Sequence, residues 1–284
     1  MVDTRSIAQA VRETIPRIAT GLRADVREAL DAAIASEGDP GARDVLEQLA
    51  ENDDIAQRDG VPLCQDTGTV WVWVDLGADE RIGGDPQTEI DRAVAEAYRD
   101  AGLRMSVARD ALLDRSNTGD NTPVFVDVSL RRGSGATVHV MLKGGGSDNA
   151  SHVEMLEPAS GFEGVAGLVE RAVVTHGPSA CPPLLVGVAV GGTFDKVGLH
   201  SKRTLLRRIG DEKGPGTPAD PARTAREREL LERVNATGIG PAGLGGDTTA
   251  LAVHLATAPC HIAALPVAVN LGCCAMRSAS VELS

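Results

Sequence analysis

The sequence predicts an α+β fold, a helical N-terminal part followed by a mixed α/β body. Three observations predict it. Apolar residues recur at helical spacing up to about residue 58. From residue 70 they alternate, or run on without interruption, in blocks of strand length. No internal repeat or linker-like stretch breaks the 284 residues. The simplest organisation is one domain over 1–284, with a helical subregion over 1–60 and the body over 61–284.

The elements follow in order. Ile7, Val11 and Ile15 mark a first helix, which Pro16 ends or kinks. Val26, Leu30 and Ile34 mark a second, closed by Gly38-Asp39-Pro40-Gly41, and Val45, Leu46 and Leu49 mark a third that ends before Gly60. The polar segment Pro62-Leu63-Cys64-Gln65-Asp66-Thr67-Gly68-Thr69 leads into a strand, Val70 to Leu76. Residues 87–101 form a helix with Ile90, Val94 and Ala97 on one side. After the turn Asn117–Asn121, Val124, Val126, Val128 and Leu130 alternate as a strand, expected to pair with 136–142 as a hairpin. A helix over 161–176, a strand over 184–190 and a helix carrying Lys202, Arg203, Arg207 and Arg208 come next. A surface loop over 211–220, a charged helix over 221–236 that is mostly a solvated face, and strands near 249–257 and 261–269 complete the pattern, with Cys273 ending the ordered part.

Composition bounds the function. Apolar content of 42% supports a buried core, and only 2% aromatic content makes that core aliphatic. A formal charge of −12 argues against nucleic acid or an anionic membrane as partner. No apolar run approaches the ~18 residues of a membrane span. The N-terminus shows no basic-then-apolar leader, so the expected location is the cytoplasm. There, five cysteines do not make a disulfide framework. None occurs as CxxC, and Cys64, Cys181 and Cys273 stand 117 and 92 residues apart. That spacing excludes zinc fingers and ferredoxin motifs. It fits either a metal site assembled by the fold or unrelated buried thiols.

The chain is organised around Lys143-Gly144-Gly145-Gly146-Ser147-Asp148-Asn149, which follows a buried strand. Three successive glycines suit a place where backbone approaches a ligand with its amides free to meet an anion. A simple turn after a strand is the alternative. The glycine- or proline-flanked cysteines favour a small polyanionic substrate held between this loop and a metal cluster.

The motifs PLCQDTGT, LRMS, NTGDN, KGGGSDN, CPP, GGT, GIGP with GLGG, and the terminal CCAMR occur in an order that resembles the iron–sulfur hydro-lyases. These are the class I fumarases and L-tartrate dehydratases, and the likeness to their α subunit or N-terminal catalytic domain runs from about residue 7 to the end. It implies a 4Fe-4S cluster at the centre of the body, held by Cys64, Cys181 and Cys273. Cys273 matches by standing four residues before Arg277, and Cys274 is the alternative. Three thiolates leave one iron open to act as a Lewis acid on a departing hydroxyl. The resemblance further implies substrate contacts from Gln65, Arg104 and the Gly145 amide, charge from Lys143, and proton transfer by Asp66 with His261, which lies 12 residues before Cys273. Cys260, His139, His152 and His254 match no site position. Because the sequence stops at Ser284, the resemblance implies a separate β subunit, in an α2β2 assembly, supplying the remaining groups.

The expected reaction is reversible hydration of fumarate to L-malate. Dehydration of tartrate to oxaloacetate, or hydration of mesaconate or another C4–C5 diacid, stands beside it. Two other classes remain: an iron–sulfur redox or sensor protein without turnover, and a cluster-free module that binds an anion through the glycine loop and Arg104. Iron and sulfide analysis after anaerobic purification separates the last from the rest.

Overall fold

The computed structural model describes residues 1–215 and 218–283. Gly216 and Thr217, inside the expected 211–220 loop, and Ser284 lie outside the described residues. In chain order the elements are β1 (Val2–Asp3), α1 (Thr4–Ala19), α2 (Ala24–Ser36), α3 (Pro40–Asp59), β2 (Thr69–Gly77), β3 (Ile82–Gly83), α4 (Pro86–Asp100), β4 (Phe125–Arg131) and β5 (Ala136–Lys143). Then come α5 (Gly145–Asn149), β6 (His152–Leu156), α6 (Gly161–His176), β7 (Leu184–Gly192), α7 (Phe194–Thr204), α8 (Pro221–Asn235), β8 (Ala250–Cys260), β9 (Leu265–Gly272) and β10 (Arg277–Leu283). The fold is α+β, as the sequence predicts. Among the described residues no helix is long and apolar enough to cross a membrane.

The chain divides into two compact units. The first is built from Met1–Arg23, Asp53–Gly145 and the residues from Arg277, the second from Ala24–Asn52 and Gly146–Met276. The three N-terminal helices lie within residues 4–59. Helix α1 packs on α4 and β5, whereas α2 packs against β8, and the boundary falls inside α3. Each apolar stripe follows the sheet it covers.

In the first unit the strand order is β10-β5-β2-β4. Strands β10 and β5 are antiparallel, as are β5 and β2, while β2 and β4 are parallel. Val72, Val74, Val138 and Val140 of the sheet meet Ile7, Val11 and Ile15 of α1 and Ile90 and Val94 of α4 in one aliphatic core. Each such side chain contributes about 1.5–3 kcal/mol on full burial. That burial also explains Pro16: α1 runs through it to Ala19, because Ile15, Ile18 and Ala19 are all buried and outweigh one missing backbone bond. The expected hairpin of β4 with β5 does not form. Strand β2, with Val72, Trp73 and Val74 fully buried, takes the central place between them. β4 is left at the edge with Val128 and Leu130 exposed. Nor does order end at Cys273, since Arg277–Leu283 adds β10 alongside β5.

In the second unit the order is β6-β9-β7-β8, with the same succession of antiparallel, antiparallel and parallel pairs. Val186 and Val188 of β7 face α6 and α8 through Val165, Val169, Leu230 and Val234. The alternate residue Ala189 meets Val197 of α7, so helices cover both faces of β7. Helix α7 stops at Thr204, short of Arg207 and Arg208. Arg207 turns inward instead, donating from Nε to His254 Nδ1 (3.1 Å) and pairing with Glu227. Glu227 also accepts the Leu255 N–H (2.7 Å). Helix α8 therefore carries a buried charged network on the side that its composition suggested was solvated.

Candidate active site

Within the first unit, residues that are far apart in the sequence gather around Asp66. Its Oδ1 accepts the Gly68 N–H (3.0 Å) and Arg104 Nη2 (3.4 Å), and its Oδ2 accepts the Gly145 N–H (2.8 Å). Asp66 and Arg104 are thus an ion pair, half open to solvent. Three of the residues singled out in the sequence, Asp66, Arg104 and Gly145, meet here, the first two from separate loops and the third from the start of α5.

The local sequence explains why these loops hold. Gly68 has φ +83°, and a Cβ there would stand 2.7 Å from the Lys143 carbonyl, so only glycine lets the 64–69 segment cross the end of β5. The Thr67 hydroxyl donates to the Arg104 carbonyl. Asn121, fully buried and left-handed at φ 61°, accepts the Ser106 N–H on Oδ1 (2.7 Å) and donates from Nδ2 to Gly68 O (3.2 Å). Asn117 Nδ2 donates to Met105 O (2.9 Å). The NTGDN turn is therefore the clamp that ties LRMS to the segment after Cys64. The Tyr98 hydroxyl donates toward the carbonyls of Thr67 and Gly68 (3.0 and 3.1 Å). Burial pushes this phenol well above its usual range, against the opposing field of the Arg277 guanidinium, so it stays a protonated donor.

Lys143 is buried at the end of β5, and Gln65 is exposed beside Cys64. Arg277, the first residue of β10, is 1% exposed, and its Nε and Nη1 have no hydrogen-bond partner among the described residues. Its Nη2 lies 3.8 Å from where a Gly144 Cβ would be, a point 3.2 Å from Asp66 Oδ2. The sequence pointed to Arg277 only as a marker of register. Asn121 and Tyr98 were missed as well. The NTGDN motif was a signal for the first; nothing local distinguishes the second.

The second unit holds Cys181, Cys273, Cys274 and His261. Cys181 adopts a left-handed conformation (φ 58°, ψ 70°) that costs a non-glycine residue of order 1–2 kcal/mol, and it turns the chain between α6 and β7. The Cys274 N–H donates to Cys181 O (3.1 Å), so the CPP and CCAMR segments lie side by side. Asp148, three residues past Gly145, pairs with the buried Lys202 Nζ at 2.9 Å. Burial lowers that lysine from its usual range and Asp148 opposes the shift. His261 lies in the turn joining β8 to β9 rather than at a strand start, and its Nδ1 accepts the Ala263 N–H (3.1 Å). It borders an open cavity of about 420 Å³ together with Thr193, Lys196 and His200.

The donor chemistry suits an iron–sulfur cluster. No disulfide joins the five cysteines; Cys64 and Cys181 are exposed and Cys273 and Cys274 half-buried, all four in loops. Among the described residues no three His, Cys, Asp or Glu side chains form a group able to hold a single metal ion.

Comparison with known proteins defines the class. The sequence profile of the family described as fumarate hydratase (fumerase) matches residues 8–282. A protein of Methanocaldococcus jannaschii, provisionally named L(+)-tartrate dehydratase subunit alpha, is 35% identical over 279 residues, 96% of each chain. The L(+)-tartrate dehydratase subunit alpha of Escherichia coli UTI89 is 33% identical over 226 residues, 78% of this chain and 72% of that one. That of strain K12 is 33% identical over 220 residues, 76% and 70% respectively. The chain belongs to the fumarate hydratase family of iron–sulfur hydro-lyases, on its α-subunit side.

Proposed function

We propose that this protein is the α subunit of a two-subunit hydro-lyase that removes water from a C4 hydroxy-dicarboxylate, L(+)-tartrate being the favoured substrate. The observation that carries this reading is the meeting of Asp66, Arg104 and the Gly145 amide in one place. A guanidinium and an amide donor suit a carboxylate, and the carboxylate at their centre suits proton transfer. The names of the relatives favour tartrate over fumarate, the substrate expected from the sequence. Fumarate remains the second reading, supported by the family's description. Mesaconate or another C4–C5 diacid fits the same carboxylate contacts.

Cys64, Cys181 and Cys273, with Cys274 the alternative to the last, would hold a 4Fe-4S cluster. When bound, it supplies an iron with an open position that makes hydroxide a better leaving group. The protein's own residues do the rest. Arg104 takes one substrate carboxylate as a guanidinium fork, and the Gly145 amide donates to it. Gln65 orients the substrate from the exposed side of the loop. Asp66 and His261 carry the proton to and from the hydroxyl oxygen. The buried Lys143 adds positive potential behind the loop. A β subunit, in an α2β2 assembly in the cytoplasm, provides the remaining carboxylate contact and the group that takes the C–H proton. Anaerobic co-expression with candidate β subunits, assayed against tartrate, fumarate and mesaconate, tests the reading. Turnover of tartrate is expected; an iron-loaded complex inert toward every diacid overturns it.

A further inference from the structure

We propose that Asp66 occupies the place of a substrate carboxylate in the free protein, and that Arg277 is the positioning residue that receives Asp66 when substrate displaces it. The proposal rests on the functional reading above. In this structure the Asp66 carboxylate already takes the two donors assigned to substrate, Arg104 Nη2 and the Gly145 N–H. A substrate carboxylate cannot use them until Asp66 lets go. Asp66 then keeps the Gly68 N–H alone. A carboxylate has room for about four hydrogen bonds, so it needs new partners.

Arg277 is placed to provide them. Its guanidinium is buried under the glycine loop, with Nε and Nη1 unpartnered among the described residues, an arrangement that costs stability until an anion arrives. From the Cβ position that Gly144 lacks, Asp66 Oδ2 is 3.2 Å away and Arg277 Nη2 3.8 Å away. The two groups are therefore no further apart than those distances laid end to end, and no side chain of residue 144 separates them. Gly144 has none of the left-handed φ that makes glycine obligatory elsewhere in the chain. Its missing side chain keeps the path open. The exchange couples binding to activation: substrate takes Arg104, and Asp66 is freed toward the reacting hydroxyl while held by Arg277.

The test is calorimetric titration of succinate, an unreactive C4 dicarboxylate, into the anaerobically purified α–β complex. Arg277→Gln is expected to weaken succinate binding about tenfold or more, and Arg277→Lys to restore part of the loss. In an Asp66→Asn background, where no displaced charge needs a home, Arg277→Gln is expected to change nothing further. An equal loss in both backgrounds, or no loss in either, overturns the exchange. Should Arg277→Gln not fold, Gly144→Ala blocks the path with Arg277 kept, and it must show the same loss. A wild-type complex that neither binds succinate nor turns over any diacid defeats the functional reading and this one together. A wild type that turns over diacid while Arg277→Gln and Gly144→Ala bind succinate normally defeats this one alone.

Discussion

Asn121→Ala is the substitution that most sharply tests how the site is held. Asn121 is fully buried, and its two side-chain bonds are the link between the Arg104 segment and Gly68. Alanine leaves the part-buried Ser106 N–H without its acceptor, a loss of about 1–3 kcal/mol at most. The Gly68 carbonyl keeps its contact from Tyr98, so that side loses only about 0.5–1.5 kcal/mol. Holding φ near 61° adds roughly 1–2 kcal/mol for alanine, which asparagine avoids. Allowing for relaxation, the expected cost is about 3–5 kcal/mol. Both tryptophans, Trp71 and Trp73, lie in the first unit, so tryptophan fluorescence in urea reports on that unit alone. With an m-value of about 2 kcal/mol/M, the midpoint falls by roughly 1.5–2.5 M. Asn121→Gly removes the same bonds without the φ penalty and is expected to lose about 1 kcal/mol less. In the assembled enzyme, KM for the diacid rises more than kcat falls, because Arg104 loses its fixed position. A midpoint within about 0.3 M of wild type, with unchanged KM, refutes the clamp.

Three further outcomes are expected. Cys181→Ser loses iron and sulfide while keeping its far-UV circular dichroism, and of Cys273→Ser and Cys274→Ser only the former does the same; loss in the latter alone reassigns the third ligand. Arg104→Ala keeps its iron and raises KM at least tenfold, corresponding to about 1.5–3 kcal/mol for a charged hydrogen bond, and an unchanged KM argues against its carboxylate role. Glu37 is buried, which pushes its carboxyl up. Three backbone N–H donors, from Asp247, Asp39 and Thr248, outweigh that and leave it below the usual glutamate range. Its contribution is thus complete above the unfolded value of about 4.3 and is lost as pH falls through the lower folded value. Glu37→Gln turns one acceptor into a donor facing an N–H and costs about 1–3 kcal/mol at neutral pH. That gap to wild type closes in strong acid, and a gap independent of pH from 7 to about 2 contradicts the assignment.

The fold class and most elements could be read from the sequence because apolar spacing is a local property. Helices α4, α6 and α8 and strands β2 and β7 fall within a residue or two of their expected bounds. What failed was non-local. The parity of Val124, Val126, Val128 and Leu130 says that β4 is a strand, but not that it lies parallel to β2 rather than antiparallel to β5. Strand β10 does alternate at Ala279, Val281 and Leu283, but it follows a cysteine pair that reads as an end of order, and its pairing with β5 is non-local. Charge on α8 reads as solvated until Arg207 and His254 are brought to Glu227. The site divides in the same way. Asp66, Arg104 and Gly145 sit in recognisable motifs and do converge. Tyr98 is one apolar position of an ordinary helix by sequence, and only packing shows its hydroxyl capping the loop carbonyls. Arg277 looks like any residue after a cysteine pair until its burial is seen.

The central claim is that three thiolates of this chain hold a cluster with one iron left open to the substrate. Mössbauer spectroscopy of 57Fe-labelled protein, co-expressed with its β subunit and purified without oxygen, tests it most directly. The account predicts a cluster in which one iron differs from the other three and changes its signal on adding tartrate or fumarate. Protein free of iron, or a cluster whose irons are all indifferent to the diacid, would contradict it.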